Sequence, residues 1–84
     1  MSKFDKLILK LLSGNSDRNF DFVDLVKLLE QLGFALRIKG SHHIFTRADI
    51  DEIINLQPVD NHAKPYQVKQ TRELLLKYKL IPND

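Results

Sequence analysis

The chain has 84 residues, 43% hydrophobic and 29% charged, with a formal net charge of +2. That is one small folding unit, large enough for a single core and too apolar for an intrinsically disordered segment. With no cysteine, disulfides and thiolate metal sites are excluded, and packing alone must hold the fold. The apolar runs are too short to span a bilayer. Met1-Ser2-Lys3-Phe4-Asp5 carries an early acid and no long apolar stretch. No membrane segment and no secretory signal are therefore expected, and the protein reads as cytoplasmic.

Lys3–Leu12 reads as a short helix, because Phe4, Leu7, Ile8, Leu11 and Leu12 recur at helical spacing. The cluster Ser13-Gly14-Asn15-Ser16-Asp17 breaks it, with Gly14 free to take the positive φ that ends a helix. Residues 1–20 are thus expected to form a helical extension ahead of a domain at 21–84. Where the extension's apolar face is buried stays open: on the domain, on a second copy, or on a partner. Asp21, followed by Asp24, predicts an N-cap resembling a capping box. The helix it opens runs about Phe22–Leu32 and ends at Gly33 as the C′ residue.

Phe34–Lys39 alternates apolar with basic or small residues, the period of a strand. Gly40-Ser41 is short enough for a tight turn or a bulge. His42–Arg47 is a second strand whose phase is ambiguous, since Ile44 and Phe45 are both apolar. Ala48–Glu52 is an acidic turn, and Ile53–Gln57 a third strand that Pro58 ends. Val59–Lys64 is expected to be a polar loop holding His62. Pro65 starts a last helix to about Tyr78, with Val68, Thr71, Leu75 and Tyr78 as its inner stripe, and Pro82 closes the chain. Helix, three strands and helix joined by short connections imply an antiparallel meander. The expected fold is α+β: a three-stranded antiparallel sheet with two helices on one face and an extra N-terminal helix, the layout of double-stranded-RNA-binding domains.

Charge is segregated along this order. Phe34–Arg47 holds Arg37, Lys39 and Arg47 and no acid, and Lys64–Asp84 holds five cations against two acids. If these segments share a face, that face attracts a polyanion. Within the first lies Gly40-Ser41-His42-His43-Ile44-Phe45. Histidine is the side chain that exchanges a proton near neutral pH, and a proton-transfer group in a cationic strip suits phosphodiester chemistry. Two polar residues on an ordinary hairpin would leave the same trace. Three histidines without helical i, i+4 spacing or a clear carboxylate partner make a poor metal site, so no metal and no cofactor are expected.

The Asp-capped helix ending in Leu32-Gly33-Phe34, the strand leading to Lys39-Gly40-Ser41-His42-His43-Ile44-Phe45, the third strand ending at Pro58 and the basic last helix together resemble the HicA toxins. These are the small ribonuclease half of bacterial HicA–HicB toxin–antitoxin pairs. The resemblance covers about Asp21–Leu80. It implies a double-stranded-RNA-binding-like fold, metal-independent cleavage of messenger RNA, and neutralisation by a HicB antitoxin. The family's catalytic histidine carries over to His42, with His43 as the second candidate because some members place it one position later. Two departures stand out. Met1–Phe20 precedes the point where members often begin, and the acidic turn Ala48–Glu52 stands where many have a shorter glycine-containing hairpin turn, so an RNA path there would meet local repulsion.

On that reading His42 is the general acid–base group. Arg37 and Lys39 share a strand face and are candidate phosphate contacts. Gly40 permits a special backbone conformation or a close phosphate approach, and Ser41 is a phosphate donor or a plain turn residue. Adjacent histidines on a regular strand point to opposite faces, and a bulge at Gly40 would reset the phase, so the sequence leaves open which of them joins Lys39. Lys64, Lys69 and Arg72 are candidates for gripping RNA phosphates from the last helix. Tyr66 is a possible base-stacking residue or a core residue, and Tyr78 a core residue. Competing functions are a non-catalytic nucleic-acid-binding module on the same basic face and a protein-interaction domain whose charge reflects its partner.

Overall fold

The computed structural model describes residues 2–81, so Pro82 lies outside the described residues. Helix α1 spans Lys3–Ser13. Its N-terminus is a reciprocal capping box: the Asp5 amide donates to Ser2 Oγ at 3.1 Å, and the Ser2 amide to Asp5 Oδ2 at 3.4 Å. Gly14, at φ 72°, closes it in the left-handed region. Leu7, Ile8 and Leu11 are buried, which answers where the apolar face goes: α1 packs on the chain's own second and third helices and shares their core.

Helix α2, Phe22–Gln31, buries Phe22, Leu25, Leu28 and Leu29 and ends at Gly33, φ 93°. The capping box expected at Asp21 and Asp24 does not form. Asp21 stands at the N-cap position, but its side chain makes no capping bond. The first amide of the helix, that of Phe22, donates to the Asn61 carbonyl at 3.0 Å, and Asp24 pairs with Lys3 of α1 at 3.6 Å.

The sheet has strand order β1 (Ala35–Lys39), β2 (His42–Thr46), β3 (Ile54–Leu56), antiparallel throughout. Pairing Leu36↔Phe45↔Ile54 and Ile38↔His43↔Leu56 sets one face toward the helices. Phe45, Ile54 and Leu56 are core residues there, which resolves the phase of β2: Phe45 points in and Ile44 out. Residues 58–63, expected to be loop, form a second two-stranded ladder, β4 (Pro58–Val59) with β5 (His62–Ala63). Asp60 and Asn61 both have positive φ, 50° and 68°, the pattern of a type I′ turn. The Ala63 amide donates to the Phe20 carbonyl at 2.9 Å, and this small ladder also bridges Asp21.

Helix α3, Pro65–Lys77, starts with proline in its first turn and buries Gln67, Val68, Thr71 and Leu75. The α-β-β-β-α order with a leading helix matches the expected α+β layout of double-stranded-RNA-binding domains. Tyr78 is only half-buried. Its hydroxyl donates to Glu52 Oε2 at 2.6 Å, and Lys77 Nζ reaches the same oxygen at 2.8 Å. Those two donors hold the Glu52 carboxyl below its ordinary range.

Arg72 ties the extension to the domain. Its guanidinium makes two parallel bonds to the Asp17 carboxylate, 2.9 and 3.0 Å, and a third to the Leu11 carbonyl at 3.1 Å. Both side chains are largely buried, 16% and 20% exposed, so this bidentate pair is shielded from solvent. Arg72→Ala is expected to cost about 2 kcal/mol in thermal or denaturant unfolding, the scale of lost hydrogen bonds to a charged group. Arg72→Lys recovers only part of it, since an ammonium lacks the planar fork. A carboxyl lowered in the folded state contributes stability above its ordinary value of 4.5 and loses it as pH falls below that. Glu52→Gln should therefore flatten the acid limb of a stability–pH curve.

Candidate functional site

The β1–β2 turn sets the geometry. Gly40 has φ 62°, whereas Ser41 has a negative φ, the pattern of a type II′ two-residue hairpin with glycine at the first central position. No bulge intervenes, so Lys39 pairs directly with His42, and Arg37 with Ile44. Strand alternation then places Arg37, Lys39, His42 and Asn55 on the sheet face turned from the core, all exposed. A Cβ at Gly40 would meet nothing within 4 Å, so its role here is the turn conformation and not a close packing contact.

The two neighbouring histidines are in different chemical settings. His42 Nδ1 lies 3.2 Å from Asn55 Oδ1. An amide oxygen only accepts, so this contact is a hydrogen bond in the tautomer with the proton on Nδ1, and Nε2 has no partner among the described residues. His43 faces inward and half-buried. Its ring stands edge-on to Phe22, with centroids 4.7 Å apart, and its buried Nδ1 has no partner. His62 lies in β5, where its Nδ1 bonds the Asp60 carbonyl at 2.9 Å and stabilises the turn. Among the described residues, no three His, Asp or Glu side chains gather as a metal-holding group.

From His42 a line of amides runs to α3. Gln57 Nε2 donates to Ser41 Oγ at 3.1 Å, and Lys64 Nζ donates to Gln57 Oε1 at 3.5 Å. Gln67 Oε1 accepts from the Gln57 amide at 3.2 Å, and its Nε2 approaches the Asn55 carbonyl at 3.5 Å. The buried Gln67 side chain thus pairs with the free edge of β3 as a short strand would. Ser41 and Lys64, named from sequence as phosphate contacts, are joined to the same network as His42.

Lys69 is not. It is exposed and makes no hydrogen bond or ion pair among the described residues. Arg72 corrects its expected role: the Asp17 pair engages its guanidinium on the far side of α3, and the same pair raises its already high pKa. The acidic turn is less repulsive than its sequence suggests. Asp49 pairs with Arg47 at 2.9 Å and Glu52 with Lys77 at 2.8 Å. Asn55, Gln57, Gln67 and Gln70 were not among the expected site residues, although the alternation of Asn55 and Gln57 with Ile54 and Leu56 puts the first two on the polar face of β3.

A family model described as HicA toxin of bacterial toxin-antitoxin matches residues 23–77, from the first turn of α2 to the end of α3, leaving α1 outside. No curated protein and no solved structure matches the chain. With a family model over more than half of its length, the chain belongs to the HicA toxin family, the toxin half of a toxin–antitoxin pair with an antitoxin as its partner.

Proposed function

We propose that this toxin is a metal-independent endoribonuclease acting on messenger RNA in the cytoplasm, with His42 as its general acid–base group and a HicB-type protein as its antitoxin. The observation that carries the reading is the hairpin register. It sets His42, with Nε2 free, directly opposite Lys39 and on one face with Arg37.

Cleavage of RNA without an external nucleophile needs a base at the 2′-hydroxyl. His42 Nε2 takes that proton, the 2′-oxygen bonds to phosphorus, and the bond from phosphorus to the 5′-oxygen breaks, with water supplying a proton to the leaving oxygen. The products are a 2′,3′-cyclic phosphate end and a 5′-hydroxyl end. Asn55 holds the imidazole in the tautomer the step requires, the orienting role a second group plays beside a catalytic histidine. Lys39 and Arg37 supply positive charge to the phosphate as its charge rises in the transition state. Gly40 and Ser41 form the turn that fixes this pairing. Ser41 and Lys64 lie where a phosphate further along the strand would run, and Lys69 offers a more distant contact from α3.

The test is cleavage of structureless RNA in EDTA. His42→Ala is expected to lower the rate by about 10²–10⁴-fold, while RNA binding stays largely intact. Equal loss of binding and cleavage would overturn the catalytic assignment in favour of a binding module. RNA with a 2′-deoxy group at the cleaved position should remain uncut. Because the base form is required, the rate should fall as the pH is lowered. A flat profile would count against His42.

His43→Phe separates the two histidines. It keeps the packing on Phe22 and removes the unpartnered buried nitrogen, so folding should be unharmed and cleavage retained. Lys39→Ala should weaken binding of every RNA sequence alike and reduce the salt dependence by about one counterion.

A further inference from the structure

His42 sits at a boundary between two kinds of surface. Toward β1 the neighbours are Lys39 and Arg37. Toward β3 and α3 lies an open groove of about 250 Å³, lined by His42, Asn55, Gln57, Tyr66, Gln67 and Gln70. That lining has four carboxamides and a phenol, and no residue with a fixed charge. Such a surface offers a phosphate little, but amides present paired donors and acceptors, the pattern that reads the edge of a nucleobase. The volume is below that of a drug-sized pocket and suits one small planar group.

The groups that remain open there fit the same class of ligand. The internal hydrogen bonds engage Gln57, Gln67 and Asn55 Oδ1. They leave the Gln70 amide and Asn55 Nδ2 without partners among the described residues. Tyr66 is 55% exposed, a high value for an aromatic residue in the first turn of a helix that otherwise buries its apolar stripe. Its hydroxyl lies 3.5 Å from Gln67 Nε2, which anchors the phenol end at the groove. An exposed ring beside free amides is how single-stranded RNA is held by proteins that splay its bases out.

We propose that this groove is a nucleobase subsite. One base flanking the scissile phosphate stacks on Tyr66 and presents its edge to Gln70 and Asn55 Nδ2, while the phosphate lies on the Lys39 side of His42. The subsite rests on the ribonuclease reading and adds to it a source of cleavage-site preference. An A-form duplex keeps its bases stacked and has no base to place there, so the substrate is single-stranded.

The test uses the full chain with short single-stranded oligonucleotides, 2′-deoxy at every position to block cleavage and differing in one base. The chain has two tyrosines and no tryptophan, so stacking on Tyr66 reads out as quenching of tyrosine fluorescence. Wild type should show base-dependent quenching. Tyr66→Ala should lose it and bind about tenfold more weakly, and Tyr66→Phe should retain the affinity. Gln70→Ala should keep the affinity within a few-fold and even out the preference among bases. On cleavable RNA, both Tyr66→Ala and Gln70→Ala should cut at a broader set of positions, still through His42. Unchanged affinity and unchanged cut positions in Tyr66→Ala would overturn the subsite and leave the ribonuclease reading standing. Cleavage that does not need His42 would overturn that parent reading alone, because the quench reports the base independently of chemistry.

Discussion

The two-residue turn at Gly40-Ser41 fixes everything downstream of it. A strand's side chains alternate, so a slip of one residue between β1 and β2 would exchange the roles of His42 and His43. Gly40 at φ 62° lets the turn close without a bulge, and the pairs Lys39↔His42 and Leu36↔Phe45 follow. The core reinforces the same register from the other side. Phe45 is fully buried and His43 packs on Phe22, so a slipped β2 would expose a phenylalanine and turn His42 and Thr46 toward the core. The face that carries Arg37, Lys39 and His42 is therefore held by hydrophobic burial that none of those residues takes part in.

The third strand couples this face to α3. β3 is only three residues long and has a free edge. Gln67 closes that edge with its side-chain amide, bonding both the Gln57 amide and the Asn55 carbonyl. Asn55 thus has its backbone fixed from α3 while its side chain orients His42. Gln57 does the same for Ser41. Two outward side chains of one short strand connect the hairpin to the helix, and a shift of α3 would be felt at the His42 ring through a single hydrogen bond.

The helices and the three-stranded meander were legible because hydrophobic periodicity reports burial directly, most plainly in α2 and β3, whereas β1 keeps its alternation although Ile38 is exposed. The features that escaped depend on contacts between segments far apart in sequence. The β4–β5 ladder has only two pairs, and Asp60-Asn61 lacks the glycine that usually marks a type I′ turn, so nothing local separated it from loop. Asp21 and Asp24 have the spacing of a cap, but the Asp21 side chain makes no capping bond and Asp24 pairs with Lys3 of α1. Arg72 looked like a free cation because its partner, Asp17, lies 55 residues away in a segment read as an extension. His42 and His43 could not be told apart until the turn type was known. The residues that orient His42 were missed because neutral amides give no signal in charge or hydropathy, although the alternation along β3 had already placed Asn55 and Gln57 outward.

Net charge gives a poor account of how this surface is organised. Among the described residues four cations, Lys3, Arg47, Arg72 and Lys77, are paired with acids, and the cations on the outward face of the hairpin, Arg37 and Lys39, both lie on β1. On the β3 side the groove lining is neutral and amide-rich, with Lys64 Nζ held at Gln57 Oε1 beside it. An RNA strand has the same two-sided character, with charge along its backbone and hydrogen-bonding edges on its bases. A surface that was cationic on both sides of His42 would hold phosphates in many registers with similar energy. A cationic side and an amide side with the imidazole between them favour the registers that put a phosphate on one and a base on the other. In this arrangement the neutral half of the face selects the position that the charged half only attracts.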